Sequence, residues 1–240
     1  MSLNLNYAFL ATNNRGTGVY NIEKNTTPTG GAVEIFEDCL LDLNAWIEFA
    51  LNLGYKNIIL EGHSFGTNKI QYYLQKGKFK DKINSTILLG FNDSFGGQLE
   101  YLNKNNLKNE DILAEAKSLV SQGKGLQLLT DQSINFGELP QTAGSYISFM
   151  SPHSNLSKIL PLSTKGPLIH FSNLKLPILA IVGDRNEYTV ISPGEAVDLL
   201  SRANKRAKVF LINDCDHSYL GREKELTEII KNFILEILTI

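Results

Sequence analysis

Apolar residues change their spacing several times along the 240-residue chain, and each change predicts an element. Residues 7–12 form a short apolar run ended by Asn13-Asn14-Arg15-Gly16-Thr17-Gly18, which predicts a strand running into a loop. Across residues 33–52, Ile35, Phe36, Cys39, Leu40, Leu43, Trp46, Ile47 and Ala50 recur at three- and four-residue spacing, one face of a helix that Gly54 stops. Residues 57–61, with Ile58-Ile59-Leu60 at the centre, read as a buried parallel strand and 67–75 as a helix. Residues 85–90 are a second central strand, followed by the turn residues Asn92-Asp93 and by Gly96-Gly97. Beyond them the texture changes, with one helical stretch at 110–121 and loops rich in Ser, Pro and Gly around Ser151-Pro152-His153 and 161–167. The rhythm then returns as a strand at 177–182, a helix at 193–201, a strand at 208–212 and an amphipathic helix from Glu223 to the end.

Strands alternating with helices predict an α/β fold with a doubly wound, mostly parallel sheet. Its core is expected over residues 1–90 and 174–240, with a cap inserted at 91–173. The length suits one such domain. A net charge of -2 offers no electrostatic footprint for nucleic acid or an anionic membrane, so the expected partner is a small molecule. Oligomeric state leaves no mark in the sequence. Only Cys39 and Cys215 are present, which implies no disulfide framework and points to a reducing, cytoplasmic setting. No apolar run approaches the ~20 residues of a membrane helix.

Between the first central strand and its helix stands Gly62-His63-Ser64-Phe65-Gly66, a match to the G-x-S-x-G nucleophile elbow. Small residues at both ends permit the sharp turn that lifts a serine above the sheet, and the strand before and the helix after it supply the required context. The backbone N–H of Phe65 is then one oxyanion donor. A serine hydroxyl is a weak nucleophile and needs a base, for which histidine is suited. His63 adjoins the serine with its side chain expected to point away, and His153 and His170 fall in the cap. His217, in Asp214-Cys215-Asp216-His217-Ser218, follows the last strand and so shares the carboxyl edge of the sheet with the elbow. Lys69 reads as a solvated or packing lysine, and Cys215 as a packed thiol.

These features resemble the α/β-hydrolase fold family, whose triad follows in the chain order Ser, Asp or Glu, His. Glu34, Phe36, Asp38 and Cys39 before the elbow, Lys69 and Tyr73 after it, and Asp216-His217-Ser218 with Gly221 and Glu223 are similar to its siderophore-esterase-like branch. The resemblance implies an acid three residues after the glycine that ends the preceding strand. Here Gly183 is followed by Asp184, Arg185 and Asn186, so that position holds an amide. An amide in a serine triad favours the wrong imidazole tautomer. Asp184 is therefore the first candidate for the acid, with Asp93 and Glu187 as alternatives.

The family also places an earlier strand and a His-Gly loop, source of the second oxyanion N–H, ahead of the segment that residues 7–18 resemble. Either an N-terminal piece precedes this sequence or the oxyanion hole is built differently. The resulting expectation is a serine esterase acting through an acyl-enzyme on Ser64, His217 and Asp184, without metal or organic cofactor. A catalytically weak, ligand-binding relative is the alternative.

Overall fold

The structure is a computed structural model that describes residues 7–16, 27–131, 139–185 and 187–238. After two short 3-10 turns, α1 (Cys39–Asn52) leads into β1 (Ile58–His63), α2 (Phe65–Lys76) and β2 (Ile83–Leu89). Then come α3 (Ser94–Lys104), α4 (Asn109–Ser121), α5 (Ala143–Met150) and the single turn α6 (Ile169–Ser172). The chain returns to the sheet with β3 (Ile178–Gly183), α7 (Pro193–Ala203), β4 (Ala207–Ile212) and α8 (Glu223–Leu238). No helix among the described residues is long and apolar enough to cross a membrane.

The four strands among the described residues are parallel and lie in the order β1-β2-β3-β4. Parallel strands need a crossover, and both faces of the sheet must then be covered, which explains why β3 is apolar throughout and β2 over Ile87–Leu89, after the polar run Asn84-Ser85-Thr86. Alternation sorts their side chains. Leu88, Ile178, Ala180 and Val182 pack with Ile70 of α2 and with Ala196 and Leu200 of α7. Ile87, Leu89, Leu179 and Ile181 pack on the other face against Ile230 and Phe233 of α8. This is the doubly wound arrangement that the strand-helix rhythm predicts.

Helix α1 ends as its sequence directs. Gly54 takes φ +91°, the Gly54 N–H returns to the Leu51 carbonyl and the Tyr55 N–H to that of Ala50, which is the hydrogen-bond pattern of a Schellman cap. Helices α3 and α5 and the single turn α6 were not legible. Asn92-Asp93 read as a turn before Gly96-Gly97, yet Asp93 accepts the Gly96 N–H through Oδ1 at 2.7 Å and so starts α3 as its N-cap. Helix α5 lies where only loops were expected.

Residues 7–12 are a correction in the opposite direction. No strand forms there; Phe9 is 72% exposed, and β1 is an edge of the sheet among the described residues. The run is apolar enough for a strand, but among the described residues no strand pairs with it to complete a hydrogen-bond ladder. Its end is instead tied to α1: Arg15 pairs with Asp38 and Asp42, and the Trp46 indole donates to the Asn13 carbonyl.

The chain between β2 and β3 has a core of its own, in which Leu102, Ile112, Leu113, Ala116, Tyr146 and Met150 are buried together. Polar contacts join it to the sheet-bearing part. The second carboxylate oxygen of Asp93 accepts the Ser163 N–H, and Glu37 accepts from Ser148 and Asn155.

Candidate active site

Ser64 occupies the junction of β1 and α2 with φ 56° and ψ -127°, a left-handed conformation that a residue with a side chain adopts only under constraint. The constraint is visible on both sides. The Ser64 N–H donates to the Leu89 carbonyl at 2.9 Å, pinning the turn to β2. Its own carbonyl accepts from the Thr67 N–H and, at 2.7 Å, from the Thr67 hydroxyl. Gly62 is required for the same turn, because a Cβ there would stand 2.8 Å from the main chain of Gly66. Phe65 is the first residue of α2, so its N–H belongs to the first-turn donors that have no intrahelical partner.

His217 lies on the loop between β4 and α8. That loop is held by side chains rather than by regular pairing: Asp216 Oδ1 accepts the N–H groups of Ser218 and Leu220, and the buried Tyr219 hydroxyl accepts the Gly90 N–H and donates to the Ile181 carbonyl. Burial pushes the Tyr219 phenol up, keeping it a protonated donor. The His217 ring meets the Tyr188 ring edge-on at 4.8 Å. Its Nδ1 lies 2.6 Å from Glu187 Oε2, and its Nε2 is buried with no hydrogen-bond partner among the described residues.

The carboxylate facing His217 is therefore Glu187, not Asp184. Glu187 is fully buried through its side chain, and its second oxygen accepts the Gly183 N–H at 2.8 Å. Asp184 turns toward backbone instead, accepting the N–H groups of Asp214 and Cys215 at 3.0 Å each. The register explains the division. Gly183 is paired with Ile212, so the residue after Gly183 stands beside the neighbouring loop's main chain, while a longer side chain three positions further on reaches back to the ring. Asp93 is occupied in capping α3 and holding Ser163, and Asn186 lies outside the described residues.

Those two backbone bonds, chiefly the one from Cys215, hold the Asp184 carboxyl below its usual range. A carboxyl depressed in the folded state contributes stability above its unfolded value, and that contribution is lost as pH falls through the folded value. We expect Asp184→Asn to be less stable than the wild type near about pH 7 and the gap to narrow below about pH 4, as measured by denaturant midpoints at both conditions.

Other residues singled out in the sequence take structural places. Lys69 is not solvated: its ammonium is 2.5 Å from Glu34, both side chains are 9% exposed, and it lies 5.0 Å from the Phe65 ring centroid. The Phe65 ring stacks on Phe149 at 5.4 Å. Cys215 is buried, and burial first, then Asp216 and Glu187, pushes its thiol up to about 11, so it stays protonated. His153 sits in the turn after α5 and His170 in α6. His63 does point away from the serine, toward the His217 loop. Two open clefts, of ≈ 480 Å³ beside α3 and ≈ 570 Å³ beside α4, are lined by neither Ser64 nor His217.

A mostly parallel sheet, flanked by helices and bearing a serine at a strained strand-helix turn with a histidine on the last strand's loop, is the α/β-hydrolase fold. Solved structures agree on this point. Est1E from Butyrivibrio proteoclasticus is similar with a TM-score of 0.53 at 18% identity, over 88% of this chain and 74% of Est1E. Est1E with ferulic acid bound gives 0.54 at 17%, over 90% and 74%. The monoacylglycerol lipase of Paleococcus ferrophilus gives 0.53 at 16%, over 86% and 78%. At such identities the likeness concerns the fold alone. The chain belongs to the family described as "Protein of unknown function (DUF1749)", which matches residues 38–234. Among curated proteins, none matches the sequence.

Proposed function

We propose that this protein is a serine hydrolase of carboxylic esters in which Ser64 is the nucleophile, His217 the general base and Glu187 the acid that orients it. The observation that carries this reading is the 2.6 Å contact between His217 Nδ1 and the buried Glu187, which leaves the opposite ring nitrogen free to act. Glu187 favours the tautomer with hydrogen on Nδ1 and stabilises the imidazolium that forms in the transition state.

In the first step the Ser64 hydroxyl passes its proton to His217 Nε2 while Oγ bonds to the ester carbonyl carbon, and the carbonyl electrons move to oxygen. The Phe65 N–H, at the positive end of α2, stabilises that oxyanion. Collapse expels the alkoxide, which takes the proton from His217, and leaves an acyl-enzyme. Water then bonds to the acyl carbon while passing a proton to His217, and collapse breaks the bond to Ser64 Oγ, which takes that proton back as the carboxylic acid leaves. The chain between β2 and β3 acts as the cap that shapes the acyl or alcohol side of the cleft.

Likeness in fold to a monoacylglycerol lipase and to a structure holding ferulic acid supports an ester among acyl substrates. The siderophore-esterase-like residues around the elbow, Glu34 with Lys69 among them, add hydroxamate-bearing esters to the substrates worth trying. Hydrolysis of matched p-nitrophenyl ester, thioester and anilide substrates by the wild type and Ser64→Ala tests the reading. Ester turnover that Ser64→Ala abolishes is expected, and a preference for the anilide would redirect it to a peptidase. A second reading, a ligand-binding relative with negligible turnover, is favoured by the same Nε2, since no hydrogen bond from Ser64 reaches it. Catalytic hydrogen bonds are often long before substrate binds, which is why the hydrolase reading stands first.

A further inference from the structure

His63, the last residue of β1 and the one before Ser64, has its Nε2 2.7 Å from the main-chain oxygen of His217. The two rings lie 4.8 Å apart, and the Tyr219 ring is 6.0 Å from that of His63. A carbonyl oxygen only accepts, so Nε2 of His63 must carry the hydrogen.

The loop that His63 touches has little regular structure to fix it. Asp214 and Tyr219, on either side of His217, sit at φ 53° and 58°, in the left-handed region that side chains disfavour. Its other side-chain restraints come from Asp184, Arg185 and Glu187 after β3, from Asp216 and Arg222 within the loop, and from Tyr219 bonded to Gly90 and Ile181. Those that leave the loop reach β3, the chain just after it, or the end of β2. The His63 bond is the one among the described hydrogen bonds that reaches the loop from the strand carrying Ser64. Nucleophile and base belong to β1 and to the loop after β4, at opposite edges of the four strands, so their separation is otherwise set through two intervening strands.

We infer that His63 is a positioning residue that ties the base loop to the nucleophile elbow and so sets the distance from Ser64 to His217. This rests on the reading of those two residues given above. The motif residue between Gly62 and Ser64 thereby has a task of its own: its ring contacts the His217 loop. Geometry errors of about 1 Å cost on the order of 100-fold in rate, so loss of this tie shows in reactivity more than in stability.

The test is the second-order rate of labelling by a fluorophosphonate, with His63→Leu and His63→Gln beside the wild type. Leucine removes the donor, whereas the glutamine amide places an N–H near the former Nε2. His63→Leu is expected to label about 10–100-fold more slowly with an unchanged melting temperature, and His63→Gln to recover to within about threefold of wild type. In wild-type protein, ¹⁵N-resolved imidazole spectra are expected to show His63 with its hydrogen on Nε2. Wild-type rates in His63→Leu, no recovery in His63→Gln, or a His63 hydrogen on Nδ1 would overturn the tie alone. Absence of labelling in the wild type would overturn the Ser64 reading itself, and the positioning role with it.

Discussion

Glu187→Gln lowers the turnover number for ester hydrolysis by about 10³–10⁴-fold, while Asp184→Asn lowers it by no more than about tenfold. The first value follows from how the carboxylate is held. Both oxygens of Glu187 accept, one from His217 Nδ1 and the other from the Gly183 N–H, and the group is fully buried. An amide has one acceptor and one donor. With its oxygen toward Gly183, its NH₂ faces Nδ1 and selects the tautomer that puts hydrogen on Nε2, where the base must be free. With its oxygen toward His217, NH₂ faces the Gly183 N–H and a buried donor is left without an acceptor. Either orientation disables the site. Asp184 acts on the Asp214 and Cys215 main chain, so its amide variant shifts the loop without touching the ring. Steady-state kinetics on both variants decide the matter, and the reverse order of effects would return the acid's role to Asp184.

Gly90→Ala is expected to lower turnover by about 100-fold and stability by only about 1–2 kcal/mol. Gly90 ends β2 at φ 57°, where a Cβ adds strain. More consequential is where that Cβ would point: it would lie 2.7 Å from His217 Cε1 and 2.9 Å from Nδ1. No real Cβ approaches a ring so closely, so the imidazole must move and its line between Glu187 and Ser64 is lost. Kinetics and thermal melting of the same preparation check this. A folded variant with wild-type turnover would show that the ring has room to shift without cost and that its placement is not fixed.

Much of this was legible before any coordinates. The sheet and its helices follow from period, since the 178–182 run is too continuously apolar for anything but a strand buried on both faces, whereas Ile58-Ile59-Leu60, read as buried, forms a strand that is half-buried at the edge of the described sheet. The position of Ser64 at the strand-helix turn and of His217 on the loop after β4 follows from the strand-turn-helix order and the last strand's loop at one sheet edge. Which carboxylate faces His217 did not follow. Choosing among Asp184, Glu187 and Asp93 depends on which side chain the backbone consumes, and that is a property of register and loop shape rather than of spacing. A usable signal was present: the residue directly after a parallel strand lies beside its neighbour's main chain and tends to be taken up there, which disfavours Asp184. The helix α3 was hidden because Gly96-Gly97 carry low helix propensity, which the Asp93 cap and the packing of Phe95, Leu99 and Leu102 offset. The opening apolar run was misread because pattern reports suitability for a strand, whereas a strand also needs a partner.

If Ser64 is an activated nucleophile with His217 behind it, a fluorophosphonate modifies it, and intact mass after treatment reads that modification. One adduct is expected on the wild type, located by peptide mapping at Ser64, none on Ser64→Ala, and greatly slowed formation on Glu187→Gln. Folded wild-type protein that acquires no adduct, or acquires it equally in Ser64→Ala, would contradict it.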